Sequence, residues 1–244
     1  RLHAKPAQIR DRPVTDSFEP GSTLKPFTIA AALDAGKIKP DTMISTAPGS
    51  YAIGGRTIRD AHPHGELTVA EVIQKSSNIG SAKIALSLPA EVMWDLFINM
   101  GFGAVPHSGL PGEAAGKVRP HKTWRPIEQA TMSYGHGISV SLVQLARAYI
   151  PFASGGEIKP ITLLKSDVPV EGKQIISERT ARSVTAMLEM AVRPGGTAPK
   201  AQVPGYRVAG KTGTAHKQSG NSYAADRYVS SFVGFAPVSR PRLV

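Results

Sequence analysis

The 244-residue chain contains no cysteine. Disulfides, thiolate metal sites and a cysteine nucleophile are therefore excluded, and any redox compartment is compatible. No stretch approaches 18 consecutive apolar residues, and no signal-peptide pattern opens the sequence, so nothing in it reads as a membrane span or a leader. Internal repeats and low-complexity segments are absent. Acidic residues are the minority, 18 against 29 basic, giving a formal charge of +11. The basic residues are scattered without a run of four, which points to solvated faces and away from a nucleic-acid module. Such a surface also suits an anionic membrane or polymer nearby. His62 and His64 flank Pro63 with no third ligand cluster and read as solvated loop histidines; no metal or cofactor is expected.

What is present is a hydrophobic content of 41%, enough for a substantial core in one large domain or two small ones. Near the start lies Glu19-Pro20-Gly21-Ser22-Thr23-Leu24-Lys25-Pro26-Phe27. Pro20-Gly21 ends an extended segment and Ser22 opens a predicted helix to about Ala35, with Gly36 as its stop. Ser22 and Lys25 then share one face. Unpaired N–H groups at the helix start favour negative charge on Ser22 and disfavour an ammonium beside it. Burial beside other positive charge would bring Lys25 down from its free value of about 10.4 toward use as a base. Pro26 predicts a tightened or irregular first turn. Taken alone, Ser-x-x-Lys equally describes an ordinary capped helix with a surface lysine.

Residues 1–20 read as a loop or extended arm. After Gly36 come about thirty residues rich in Gly, Pro and Thr, with short strands near Tyr51–Ile53 and Arg56–Ile58, read as a surface excursion. Thr68-Val69-Ala70-Glu71 is a capping box starting a helix at Val69 that buries Val69, Val72 and Ile73. It breaks at Lys75-Ser76-Ser77-Asn78 and resumes from Ile79 to Leu88. A helix from Glu91 to Met100 is structural, with Trp94 and the methionines as core candidates. Residues 103–122 form a long loop. Helices follow over Ile127–Met132 and Val140–Ala148, the latter capped by Ser139. Ile161–Lys165 and Gln174–Ile176 read as paired strands, and Ser177 caps a helix from Glu178 to about Val192 with Val184, Met187 and Leu188 inward. Tyr206–Ala215 and Tyr228–Ala236 form an antiparallel hairpin across a polar excursion containing Ser219-Gly220-Asn221.

The first hairpin strand carries Lys211-Thr212-Gly213-Thr214. Lys211 offers charge, Thr212 and Thr214 offer donors, and Gly213 is expected to let a substrate backbone lie against the strand: a clamp for an anionic peptide end. Ser-x-x-Lys, Ser-x-Asn about fifty residues on and Lys-Thr-Gly about 135 further are together the signature set of the penicillin-recognising serine enzymes. Ser22 begins the one Ser-x-x-Lys in the chain and Lys211 the one Lys-Thr-Gly; the second Ser-x-Asn, Ser219-Gly220-Asn221, is out of order. The surrounding wording includes Gln74-Lys75-Ser76-Ser77-Asn78, Gly112-Glu113-Ala114-Ala115-Gly116, Gly195-Gly196-Thr197-Ala198 and Phe232-Val233-Gly234-Phe235-Ala236-Pro237. It resembles the transpeptidase domain of a division-type (septal) class B penicillin-binding protein, over nearly the whole chain. Tyr134-Gly135-His136-Gly137 departs where relatives often carry a second aromatic.

The resemblance implies an α/β (α+β) fold, an antiparallel sheet with a helical subdomain over about 37–160, within one partial transpeptidase domain, 1–244. Strands are expected before Arg1 and after Val244, so that within the chain the Lys211 strand pairs with its partner and one sheet edge stays unpaired. It further implies a peptidoglycan D,D-transpeptidase, a serine-type acyltransferase acting on stem peptides ending in D-Ala-D-Ala and trapped by β-lactams. Ser22 would be the nucleophile, Lys25 its base and Ser76 a proton relay. Asn78 would bind the acyl side chain, Lys211, Thr212, Gly213 and Thr214 the carboxylate end, and the Ser22 and Thr214 backbone N–H groups the oxyanion. The implied setting is the periplasmic side of the inner membrane, anchored by an N-terminal span outside this chain, beside division-complex membrane proteins. Other readings stay open. A D,D-carboxypeptidase would use water as acceptor, a serine β-lactamase would need fast deacylation, and a penicillin-sensing receptor domain would not turn over. No Glu-x-x-x-Asn between Asn78 and Lys211 supplies a lactamase carboxylate.

Overall fold

A computed structural model describes residues 5, 9–165, 167–168, 170–219 and 222–244, with the side chains of 216–219 and 222–227 outside the description. Its centre is helix α2 (Lys25–Asp34), in which Lys25 through Ala32 are all buried. A helix apolar on every side is a core helix, which is why KPFTIAAALD shows little amphipathic pattern. Phe27 is the hub, with the rings of Phe102, Tyr149 and Phe152 at 5.2, 5.3 and 5.2 Å. The expected irregular start is a 3₁₀ turn, Gly21–Leu24, that leads into α2. The arm before it is not wholly extended: α1 (Arg12–Thr15) precedes β1 (Ser17–Phe18). Pro13 explains this, because a proline in the first turn gives up a donor the helix does not need.

The glycine-rich segment folds into two small antiparallel pairs, β2 (Met43–Ser45) with β5 (Glu66–Thr68) and β3 (Ser50–Ile53) with β4 (Arg56–Arg59). His62 is exposed and His64 half-buried beyond β4. Helix α3 (Val69–Lys75) begins at the predicted capping box and buries Val69, Val72 and Ile73. Helices α4 (Asn78–Leu86), α5 (Ala90–Asn99) and α6 (Pro126–Met132) follow. Met93 and Met100 are core residues, whereas Trp94 is half-buried against the His121 ring, 5.4 Å away.

Two expectations need correction. Ser139 does not cap the next helix, because β6 (Val140–Ser141) first pairs with β1. Helix α7 (Leu142–Ala153) starts two residues later, where Ser141 and Gln144 exchange reciprocal bonds of 3.2 and 2.8 Å. Likewise Ile161–Lys165 is not a strand. β7 (Glu157–Ile158), directly after α7, takes β8 (Lys173–Gln174) as its partner. Gly172 permits this contact, since a Cβ there would lie 2.4 Å from the Glu157 side chain.

Helix α8 (Glu178–Val192), capped by Ser177, buries Val184, Met187 and Leu188 against β9 (Ala209–Ser219). β9 begins at Ala209 instead of Tyr206 and pairs antiparallel with β10 (Ser222–Phe235). Among the described residues this is the long ladder, and the other sheets are two-stranded. Gly220 and Asn221 lie outside the described residues. Among the described residues, no helix is long and apolar enough to cross a membrane. Since Phe27 joins the helices to the turn before α2, Phe27→Ala should lower unfolding free energy by about 3–5 kcal/mol. A shift of the urea midpoint with unchanged m-value would register it.

Candidate active site

The 3₁₀ turn, the α3–α4 junction and β9 converge on one buried amine. Lys25, fully buried, holds its Nζ 2.6 Å from Ser22 Oγ, 2.8 Å from the Ser76 carbonyl, 3.1 Å from Ser76 Oγ and 2.7 Å from Asn78 Oδ1. Asn78 Nδ2 donates to the Arg59 carbonyl at 3.0 Å, which fixes its oxygen toward Lys25. The Ser76 carbonyl and Asn78 Oδ1 can only accept. In its neutral form the amine would have one N–H for each and a lone pair left over, with Ser22 Oγ the shortest of its contacts. Burial, helped by the Lys211 charge and opposed by Asp60, drives Lys25 well below the ordinary lysine range. Burial here therefore favours the uncharged amine, the form that can act as a base.

Ser76 reaches the amine through an unusual backbone. It ends α3 with φ of +61°, a left-handed conformation that costs a non-glycine residue on the order of 1 kcal/mol. Its hydroxyl lies between two lysines, 3.1 Å from Lys25 Nζ and 2.9 Å from Lys211 Nζ. Lys211 is fully buried, also donates to the Thr212 carbonyl at 3.1 Å, and is pushed by burial down to about 7. Ser77 faces elsewhere. It caps α4 and donates to Asp60 Oδ2 at 2.6 Å.

Asp60 is the residue the sequence reading missed. Its Oδ1 accepts the N–H groups of Asn78 and Ile79 at 2.6 and 3.0 Å, so a carboxylate from the supposed surface excursion holds the Ser-x-Asn junction in place. The available signal was an acidic residue immediately after a short strand. Thr197 was also missed: its hydroxyl meets that of Thr212 at 2.9 Å, while Lys75 donates to the Gly195 carbonyl at 2.9 Å.

Gly213 packs closely against the Ser22 turn. A Cβ there would lie 2.6 Å from the Pro20 carbonyl oxygen and 2.9 Å from the Thr23 methyl, so its absence seats the strand on the nucleophile turn. Gly21, at φ +58°, answers it: a Cβ would meet the Thr214 carbonyl oxygen at 2.9 Å and the Thr214 nitrogen at 3.3 Å. This interlock brings the backbone of Thr214 beside the turn that carries Ser22. From the other side, a Cβ on Gly135 would come within 2.1 Å of the Gly21 oxygen. His136 turns to Glu19, 3.2 Å from its carboxylate, which also accepts the Gly137 N–H at 2.8 Å. Thr212 is half-buried and Thr214 exposed at the cleft.

Chemically the arrangement needs Lys25 neutral and Lys211 charged. Acylation of Ser22 by a β-lactam should therefore be bell-shaped in pH, rising through the depressed Lys25 value and falling as Lys211 loses its proton near 7. Lys211→Arg, which keeps its charge, should move the falling limb far to the alkaline side. Asp60→Asn removes the charge that raises Lys25, so the rising limb should shift to lower pH, with the maximum reduced roughly tenfold as the junction loosens.

The profile of the family described as penicillin binding protein transpeptidase domain matches residues 2–244. The chain is 46% identical over 237 residues to the probable peptidoglycan D,D-transpeptidase PenA of Neisseria gonorrhoeae, covering 97% of this chain and 40% of the relative. It is 40% identical to the peptidoglycan D,D-transpeptidase FtsI of Escherichia coli K12, covering 96% and 40%. The chain thus spans about two fifths of the length of these curated relatives. The apo structure of the TP domain from Burkholderia pseudomallei penicillin-binding protein 3 superposes with a TM-score of 0.93 at 52% identity, covering 96% of this chain and 71% of that one. By fold, motif order and profile, the chain belongs to the penicillin-binding protein transpeptidase domain family.

Proposed function

We propose that the protein carrying this chain is a peptidoglycan D,D-transpeptidase that cross-links stem peptides through a Ser22 acyl-enzyme. The observation that carries this reading is the fully buried Lys25 Nζ lying 2.6 Å from Ser22 Oγ. Ser22 attacks the carbonyl of the penultimate D-Ala and Lys25 takes its proton. Ser76, between the two lysines, passes a proton to the departing D-Ala amine. Asn78 binds the acyl side chain's amide. Lys211 and the Thr212 and Thr214 hydroxyls hold the terminal carboxylate. The Ser22 and Thr214 N–H groups receive the oxyanion, and Gly213 lets β9 approach. An amine from a neighbouring stem then displaces Ser22.

Two carboxylates border this site, and both are engaged by backbone N–H groups: Glu19 by Gly137, and Asp60 by Asn78 and Ile79. Neither is disposed to activate a water, which favours an amine acceptor over lactamase-type hydrolysis. We place the enzyme on the periplasmic face of the inner membrane, anchored by an upstream span and working with division-complex membrane proteins. Residues 37–160 serve as its helical subdomain. In the full-length protein, labelled penicillin should attach to Ser22 and fail to attach to a Ser22→Ala variant; labelling of the variant at full stoichiometry would refute the assignment. With a stem-peptide donor and a free amine, the product should be the cross-linked peptide in excess of the hydrolysed one.

A further inference from the structure

The path of the donor peptide beyond the scissile bond is set by β9. Lys211 and Thr212 take its carboxylate, and the Ser22 turn packs against Gly213 and Thr214. Between the carboxylate and the attacked carbonyl lies one residue, about 3.3 Å of extended chain. The rest of the donor must therefore leave past Thr214, toward Ala215. Beside Ala215 opens a cavity of about 490 Å³, in the size range of ligand sites. Ala215, Val229, Phe18 and Ile138 supply apolar wall, and Lys117 and Arg119 bring two cations to it.

These cations differ. Arg119 is committed to Glu128 at 2.9 Å. The Lys117 ammonium is exposed and has no bonded partner among the described residues. Its backbone, by contrast, is fixed. Lys117 and Ser139 exchange N–H···O bonds of 2.8 and 3.0 Å, and a Cβ on Gly116 would sit 2.3 Å from the Ser139 oxygen, so the loop is in close contact there. The acidic group on the cavity wall, Glu19, is already engaged by Gly137 and His136. A rigidly mounted, uncompensated cation thus faces a cavity on the donor's path.

We infer that this cavity receives the side chain of the stem-peptide residue preceding D-Ala-D-Ala, and that Lys117 selects a side chain ending in a carboxylate. The inference rests on the acyl-donor reading above. It is tested in the full-length protein with two synthetic donors that end in D-Ala-D-Ala and differ at the preceding side chain, a terminal carboxylate against its carboxamide. Labelled penicillin first counts the competent Ser22 sites, so failure of the acyl-enzyme reading appears there, before any comparison of donors. The wild-type protein should be acylated about tenfold faster by the carboxylate donor, the worth of one partly solvated charge-assisted hydrogen bond. Equal rates overturn the inference whatever any variant does. Lys117→Ala should bring the carboxylate donor down to the carboxamide rate per competent site, and Lys117→Arg should restore the difference. A Lys117→Ala protein that keeps the full preference, or loses rate equally on both donors, also overturns it.

Discussion

Everything at the centre of this molecule depends on keeping one amine dry, which favours its uncharged form. A lysine is taken out of water only if its N–H groups find acceptors, and Lys25 finds them in a backbone carbonyl and an amide oxygen that cannot donate back. That pairing determines the rest. The carbonyl belongs to Ser76 and is aimed by a left-handed turn, and the amide oxygen is aimed by the Asn78–Arg59 bond. Asp60 holds the junction and also moderates the depression of the Lys25 affinity for protons. Lys211 acts in the opposite sense: its charge deepens the depression while it shares the Ser76 hydroxyl.

Two buried lysines share one hydroxyl, and in the proposed mechanism they divide the work by charge state. With Lys25 neutral, the charge on Lys211 remains available for a carboxylate; with both charged, neither the proton transfer nor the low-dielectric site would persist. The glycines supply the spacing this needs. Gly21 and Gly213 let β9 and the nucleophile turn approach to distances a Cβ forbids, and Gly135 closes the other side of the turn. Glycine is selected here for what it leaves out, and the result is backbone from two distant segments placed side by side.

Much of this was legible in the sequence because it is local or ordered along the chain. The capping box at Thr68, the Ser177 cap and the buried faces of α3 and α8 follow from spacing alone. The motif order singled out Ser22, Lys25, Ser76, Asn78 and Lys211 as candidates, and the fold brings these five together. What was not legible involved long-range partners. Asp60 looks like a loop residue until α4 is placed against it, and Thr197 looks like a linker residue until β9 runs past it. Ser139 lost its predicted role to a two-residue pairing with β1, a contact across the chain that no local pattern announces. The packing of Gly213 on the Ser22 turn was not legible either, because the two lie far apart in sequence.

The site is also tied to the core in a way that bears on its precision. Tyr149, fully buried among the Phe27 ring contacts, donates its hydroxyl to the Thr23 carbonyl at 2.7 Å. The Ser22 turn is thereby joined to the aromatic cluster around Phe27, one residue from Ser22. Since close-packed cores resist displacement, Ser22 has little freedom to drift from Lys25. The same logic extends outward along β9. On the proposed acyl-donor reading, a Ser22 fixed relative to Thr214 would set the line of the donor, and that line would lead toward the cavity that Lys117 lines.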